Sequence, residues 1–154
     1  FEILKDSRLG TYGTSAVALV LLIEVAALAA LEPTIGLKSL VSAHAIGRTA
    51  SVCVMLITRR AAREGLGADY VSKLSTSRGL AGIVAAVAVV VLVSGPKGFL
   101  LLGFAVPATI ITWAWSHRSI GGVVGDSLGA ITQLSQTSAL IGAVTLNSGV
   151  CACL

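Results

Sequence analysis

The sequence predicts an all-α fold, a polytopic integral membrane helical bundle with about five transmembrane helices, and three observations carry that expectation. Of 154 residues, 55% are hydrophobic and only 12% charged, against about a quarter charged in an average soluble domain, and mean hydropathy is +0.93. The apolar residues gather into runs close to the ~20 residues that a helix needs to cross the hydrocarbon core. Lys and Arg sort to one side of those runs. The matching organisation is a single membrane domain over residues 1–154. The first apolar run begins only after Lys5, Asp6 and Arg8 and is followed by several more. Insertion is therefore expected to be directed by the spans themselves rather than by a cleaved signal peptide.

Five runs are expected to be helical: about Thr14–Leu31, Leu37–Ile57, Leu80–Val93, Gly98–Trp115 and Ser127–Leu146. The third is short for a span, which favours its extension back through Ser77–Gly79. It ends at the turn Ser94-Gly95-Pro96-Lys97. Pro107 removes one backbone hydrogen bond within the fourth run and is a candidate kink.

Basic residues assign the sides by the positive-inside rule. Lys5, Arg8, Arg59, Arg60, Arg63, Lys73, Arg78 and Arg118 fall on one set of loops, and only Lys38 and Lys97 on the other. The first set is read as cytoplasmic, which places Leu154 outside. With Arg48 inside the second run, these are all eleven basic residues. Topology thus accounts for the net charge of +4, and with no interleaving of basic and aromatic residues, nucleic-acid binding is not expected. Cys53 within a span plus Cys151 and Cys153 make neither a disulfide framework nor a paired-CxxC metal site. The ending Cys151-Ala152-Cys153-Leu154 matches a prenylation pattern, but that modification needs a cytosolic C-terminus, the side opposite to the one assigned.

Two charged residues are expensive where they stand. Glu24 lies twelve residues past Tyr12, ~18 Å along a helix, and Arg48 ten residues before Thr58, ~15 Å from the same face. His44 is one turn from Arg48. An ionised side chain at that depth costs at least ~2.5–3.5 kcal/mol, so a buried Glu24–Arg48 pair is expected. The functional alternative is that Arg48 holds an anionic substrate group, which a guanidinium fork suits. Asp126 stands just ahead of the fifth run, where a carboxylate can cap free backbone N–H groups. Gly121, Gly122, Gly125 and Gly129 surround it, and such glycines let backbone N–H groups approach a phosphate while a carboxylate binds a bridging divalent cation. Gly121, Gly125 and Gly129 also have the GxxxG spacing of closely packed spans.

The segments Lys5-Asp6-Ser7-Arg8-Leu9-Gly10-Thr11-Tyr12-Gly13, Ala62-Arg63-Glu64-Gly65-Leu66-Gly67 and Gly121-Gly122-Val123-Val124-Gly125-Asp126-Ser127-Leu128-Gly129-Ala130 fall in order on one topological face. Together they resemble the cobalamin synthase family, the adenosylcobinamide-GDP ribazoletransferases, with a likeness running from Phe1 to about Leu146. The resemblance implies an enzyme of the bacterial inner membrane that uses Mg2+ in the last stage of cobalamin assembly. Such an enzyme joins adenosylcobinamide-GDP to α-ribazole or its 5′-phosphate and releases GMP. Its chemistry would rest on stabilising charge and aligning the incoming hydroxyl.

Carried over by position, Asp6 and Asp126 are expected to serve catalysis and metal ligation. Arg8, Arg48, Arg63, Lys73, Gly121, Gly122 and Gly125 are expected to bind substrate. The family's aspartate-rich DG…D segment precedes the block matching Lys5–Gly13, so the chain is expected to be the C-terminal part of a longer transferase and incomplete for activity alone. There are departures from the family pattern. Val123 and Val124 replace frequent polar residues, Gln133 and Gln136 stand where some members have glutamates, and Glu24 where a lysine is frequent. Two other readings are carried: a CDP-alcohol phosphotransferase-like membrane enzyme, and a transporter or permease subunit in which Glu24 and Arg48 mark a translocation path. His44 and His117 sit in no recognisable triad. The lipid bilayer is the expected environment, and the oligomeric state, a homo-oligomer included, is left open.

Overall fold

The computed structural model describes residues 10–58 and 75–148. Within them the chain forms five helices and no strand: α1 (Thr11–Ala29), α2 (Pro33–Thr58), α3 (Thr76–Ser94), α4 (Lys97–Ile120) and α5 (Gly125–Asn147). Each expected run is helical. The third reaches back to Thr76, the extension anticipated for a run too short to cross alone. The fourth continues through Pro107 to Ile120.

α1 to α4 are long and apolar enough to cross a membrane, which makes the protein a polytopic membrane bundle. α5 has 23 residues, about 34 Å of helix, yet is more polar. Its position explains why. α5 packs against α4, α2 and α1, so Ser127, Ser135, Gln136 and Thr137 are buried among helices instead of facing lipid. α1 shows the opposite composition: among its residues only Glu24 and Ala27 are buried, while Leu19, Leu21, Leu22 and Val25 are exposed as lipid-facing side chains are.

Small residues let the central helices approach. α2 buries Ser39, Ser42, Ala43, Ile46, Gly47, Ala50, Ser51 and Val54, a stripe at three- and four-residue spacing. The tightest point is Gly47, where a Cβ would lie 2.6 Å from the Thr132 carbonyl oxygen. Interhelical hydroxyl bonds follow from this closeness: Ser51 Oγ donates to the Leu128 carbonyl at 2.9 Å and meets the Thr132 hydroxyl. Thr109 and Ser135 pair at 2.7 Å, and Ser42 and Ser94 at 2.7 Å. One apolar cluster joins Ala43, Ile46, Val90, Leu101, Ala105, Ala139 and Leu140. A second, nearer Asp126, joins Ala50, Val54, Val123, Leu128 and Ile131.

Short connections make α1 and α2, α3 and α4, and α4 and α5 antiparallel neighbours. Pro33 opens α2, a position where its missing N–H costs nothing. The predicted turn between α3 and α4 holds Gly95 at φ 62°, and a Cβ on Gly98 would come within 2.9 Å of the Val90 carbonyl oxygen. The end of α2 meets the start of α3, where Gly79 faces Leu56. One end of the bundle therefore collects the start of α1, the end of α2, the start of α3 and the α4–α5 turn.

Candidate active-site face

The α4–α5 turn is built around Gly121, whose φ of 72° is in the left-handed region and whose N–H closes onto the His117 carbonyl at 3.1 Å. Glycine reaches that conformation without Cβ strain. Ser116, buried in the last turns of α4, fixes the rest: its hydroxyl donates to the Gly122 carbonyl at 3.1 Å and lies 2.8 Å from the Ser127 hydroxyl. Val123 is buried in the core cluster at this end, which gives a packing reason for an apolar residue at this place in the turn. The turn is thus anchored from both helices while Gly121, Gly125 and Gly129 stay exposed.

Asp126 differs from expectation in one respect. Val124, not Asp126, is the N-cap of α5, and no side chain caps that terminus. Asp126 is the second residue of the helix, in its first turn and exposed. Capping therefore does not occupy its carboxylate. The GxxxG reading of Gly121, Gly125 and Gly129 also fails among the described residues, since a Cβ on any of them would meet nothing within 4 Å. The close approach that such spacing suggested is made by Gly47 instead, whose single-glycine context gave no sequence signal.

From Asp126 a groove of about 630 Å3 runs between α1 and α5. Gly13, Ala16, Val17 and Val20 line one side, and Gly129, Ala130 and Gln133 the other. Behind Gln133 the structure overturns the expected Glu24–Arg48 pair. Glu24 Oε1 accepts hydrogen bonds from Gln133 Nε2 at 2.8 Å, Gln136 Nε2 at 3.1 Å and Thr137 Oγ1 at 2.8 Å. Arg48 is exposed on a different face of α2. Geometry explains the difference: Gly47 packs on α5, and the next residue points ~100° around the helix from it. Glu24, Gln133 and Gln136, separate departures from the family pattern in the sequence, are one contacting cluster in space.

Of the sequence-predicted site residues, Asp126, Gly121, Gly122 and Gly125 come together in the α4–α5 turn. Arg48 lies apart from them, ten residues before the end of α2. Asp6, Arg8, Arg63 and Lys73 lie outside the described residues, as do Cys151 and Cys153. Among the described residues, no group of three or more His, Cys, Asp or Glu is placed to hold a metal, so the described part offers a single carboxylate at this face, that of Asp126. Arg78 and Arg118 are exposed at the same end, in the first turn of α3 and the last turn of α4.

Comparison with known proteins bears on what this face belongs to. The adenosylcobinamide-GDP ribazoletransferase of Citrobacter koseri is 37% identical over 142 residues, which cover 88% of this chain and 56% of that protein. The one from Clostridium acetobutylicum is 28% identical over 137 residues, 88% of this chain and 54% of its own length. The chain thus spans about half the length of the curated relatives it matches. No solved structure matches it. The family model for cobalamin-5-phosphate synthase matches residues 1–144, nearly the whole helical bundle, and the chain belongs to the cobalamin-5-phosphate synthase family.

Proposed function

We propose that this chain is the helical-bundle portion of an adenosylcobinamide-GDP ribazoletransferase of the bacterial inner membrane, and that the end carrying Asp126 is part of its catalytic face. The reaction joins GDP-activated adenosylcobinamide phosphate to α-ribazole or its 5′-phosphate and releases GMP. The observation that carries the site is Asp126 itself: an exposed carboxylate free of capping, set beside glycines whose backbone a phosphate can approach. The names of the similar proteins support the substrates.

In this reading Asp126 and Asp6 hold Mg2+, which when bound neutralises pyrophosphate oxygens. One or two carboxylates suffice for an ion that keeps waters and shares phosphate ligands, so a lone described carboxylate fits. The backbone of the exposed Gly121 and Gly125 lies against the phosphate, next to the positive end of the α5 dipole, while Gly122, expected from the sequence to share this role, is buried behind them with its carbonyl held by Ser116. Arg8, Arg63 and Lys73 belong to segments joined to the start of α1, the end of α2 and the start of α3, all at the Asp126 end. There they neutralise the charge that grows on the leaving GMP. Arg48 contributes only if an anionic substrate group reaches ~15 Å along α2 from that end.

The test is product identity. Membranes holding the complete protein are given adenosylcobinamide-GDP with α-ribazole, or a CDP-linked alcohol donor with a diacylglycerol acceptor. GMP release with formation of the ribazole-bearing corrinoid is expected. Turnover of the CDP-linked donor alone would overturn the assignment in favour of the CDP-alcohol class.

A further inference from the structure

Only two of the eleven Lys and Arg belong by chain position to the end of the bundle opposite Asp126, and both line the same cavity. Lys38, in the second turn of α2, and Lys97, at the start of α4, are 59 positions apart in sequence yet face one space of about 410 Å3. It lies between α2, the α3–α4 turn and the end of α5. No acidic side chain lines it. Lys97 Nζ donates to Asn147 Oδ1 at 3.0 Å, a neutral acceptor that leaves its charge uncompensated. Both lysines are exposed, so their ammonium groups give the cavity a positive mouth that an entering anion would neutralise.

The surroundings say which anion. Lys38 lies five residues past Pro33, ~7.5 Å along the helix, at head-group depth for a span that begins there. The rim is hydrocarbon: Leu92 is 84% exposed, and Leu101 and Leu146 complete the apolar wall. A small soluble anion would gain nothing from those leucines. A phosphodiester with acyl chains gains both, and lysines at membrane interfaces attract anionic lipid. We propose that this cavity is a binding site for one anionic phospholipid, its phosphate held between Lys38 and Lys97 and its chains lying over Leu92 and Leu146.

The test is lipid retention by the full chain in mild detergent, delipidated, given phosphatidylglycerol or phosphatidylcholine, and read by native mass spectrometry. One retained phosphatidylglycerol per chain is expected, in preference to phosphatidylcholine. The Lys38→Gln/Lys97→Gln variant should bind it about thirtyfold more weakly, the effect of two lysine charges at an anionic lipid, while Lys38→Arg/Lys97→Arg keeps it. Lys38→Gln with Ala30→Lys restores net charge outside the cavity and should not rescue binding. Circular dichroism checks that each variant is folded. Equal retention in the folded Gln variant, rescue by Ala30→Lys, or displacement by excess glycerol phosphate would each overturn the lipid site, the last in favour of a free-phosphate site.

Discussion

Glu24 gives the sharpest energetic test of the bundle. Replacing it with Leu removes the acceptor of three donors, but the three do not lose equally. Thr137 has one hydroxyl proton and a second acceptor already in place, the Gln133 carbonyl at 2.9 Å, so it falls back on its own helix. Gln133 is half-buried and lines the groove, where its amide can turn to water. Gln136 is 5% exposed and has no such escape. An unsatisfied buried donor costs ~1–3 kcal/mol, so Glu24→Leu should destabilise by about that much, mostly through Gln136. A double-mutant cycle with Gln136→Leu should then show a coupling of ~0.6–1.7 kcal/mol, the range of interhelical hydrogen bonds in membranes. The cycle of Glu24→Leu with Arg48→Leu should be additive within ~0.5 kcal/mol, as for sites without shared partners. Reversible unfolding by denaturing detergent in mixed micelles supplies the free energies. A Glu24–Arg48 coupling larger than the Glu24–Gln136 coupling would refute the packing of α1 on α5.

Three further outcomes follow from the same geometry. Glu24→Lys alone should lower stability, since an ammonium would face two amides, whereas adding Gln133→Glu and Gln136→Glu should recover most of the loss, as thermal melts of the single and triple variants can compare. Gly47→Ala places a methyl 2.6 Å from the Thr132 carbonyl oxygen and should cost ~1–3 kcal/mol by overpacking, read by the same unfolding assay. Single cysteines at Thr11 and Ser148, in a background freed of Cys53, Cys151 and Cys153, should react with an impermeant reagent from opposite sides of the membrane, Thr11 from the cytoplasm. Labelling of both from one side would contradict the five-span topology.

The five helical runs were legible because apolar run length is an average over many residues, insensitive to any one side chain. The glycine turn was legible for another reason: Gly121 and Gly122 lie between two runs, and Gly121 takes a left-handed backbone that glycine reaches easily. Pairing across helices was not. Glu24 and Arg48 match in depth, but depth leaves the angle around each helix undetermined, and that angle sent Glu24 to Gln133 and Gln136 and left Arg48 exposed. The polar face of α5 could have been found from the sequence, since Gln133, Gln136 and Thr137 recur at helical spacing in a run otherwise apolar enough to bury. Asp126 as a cap was off by two residues, a small shift that changes its chemistry from structural acceptor to free carboxylate. The Lys38–Lys97 cavity depends on which helix ends meet, information that no local motif carries.

The most direct test of the catalytic face is the magnesium dependence of GMP release by the complete enzyme carrying Asp126→Asn, reconstituted in membranes. The exchange keeps size and, because Asp126 makes no cap bond, should leave stability nearly unchanged, so activity reports on charge alone. Turnover reduced by at least ~100-fold, with a higher magnesium requirement and an unchanged unfolding transition, is the predicted result, in the range for loss of a group that stabilises transition-state charge. Normal turnover at every magnesium concentration would contradict the placement of the active site at this end of the bundle.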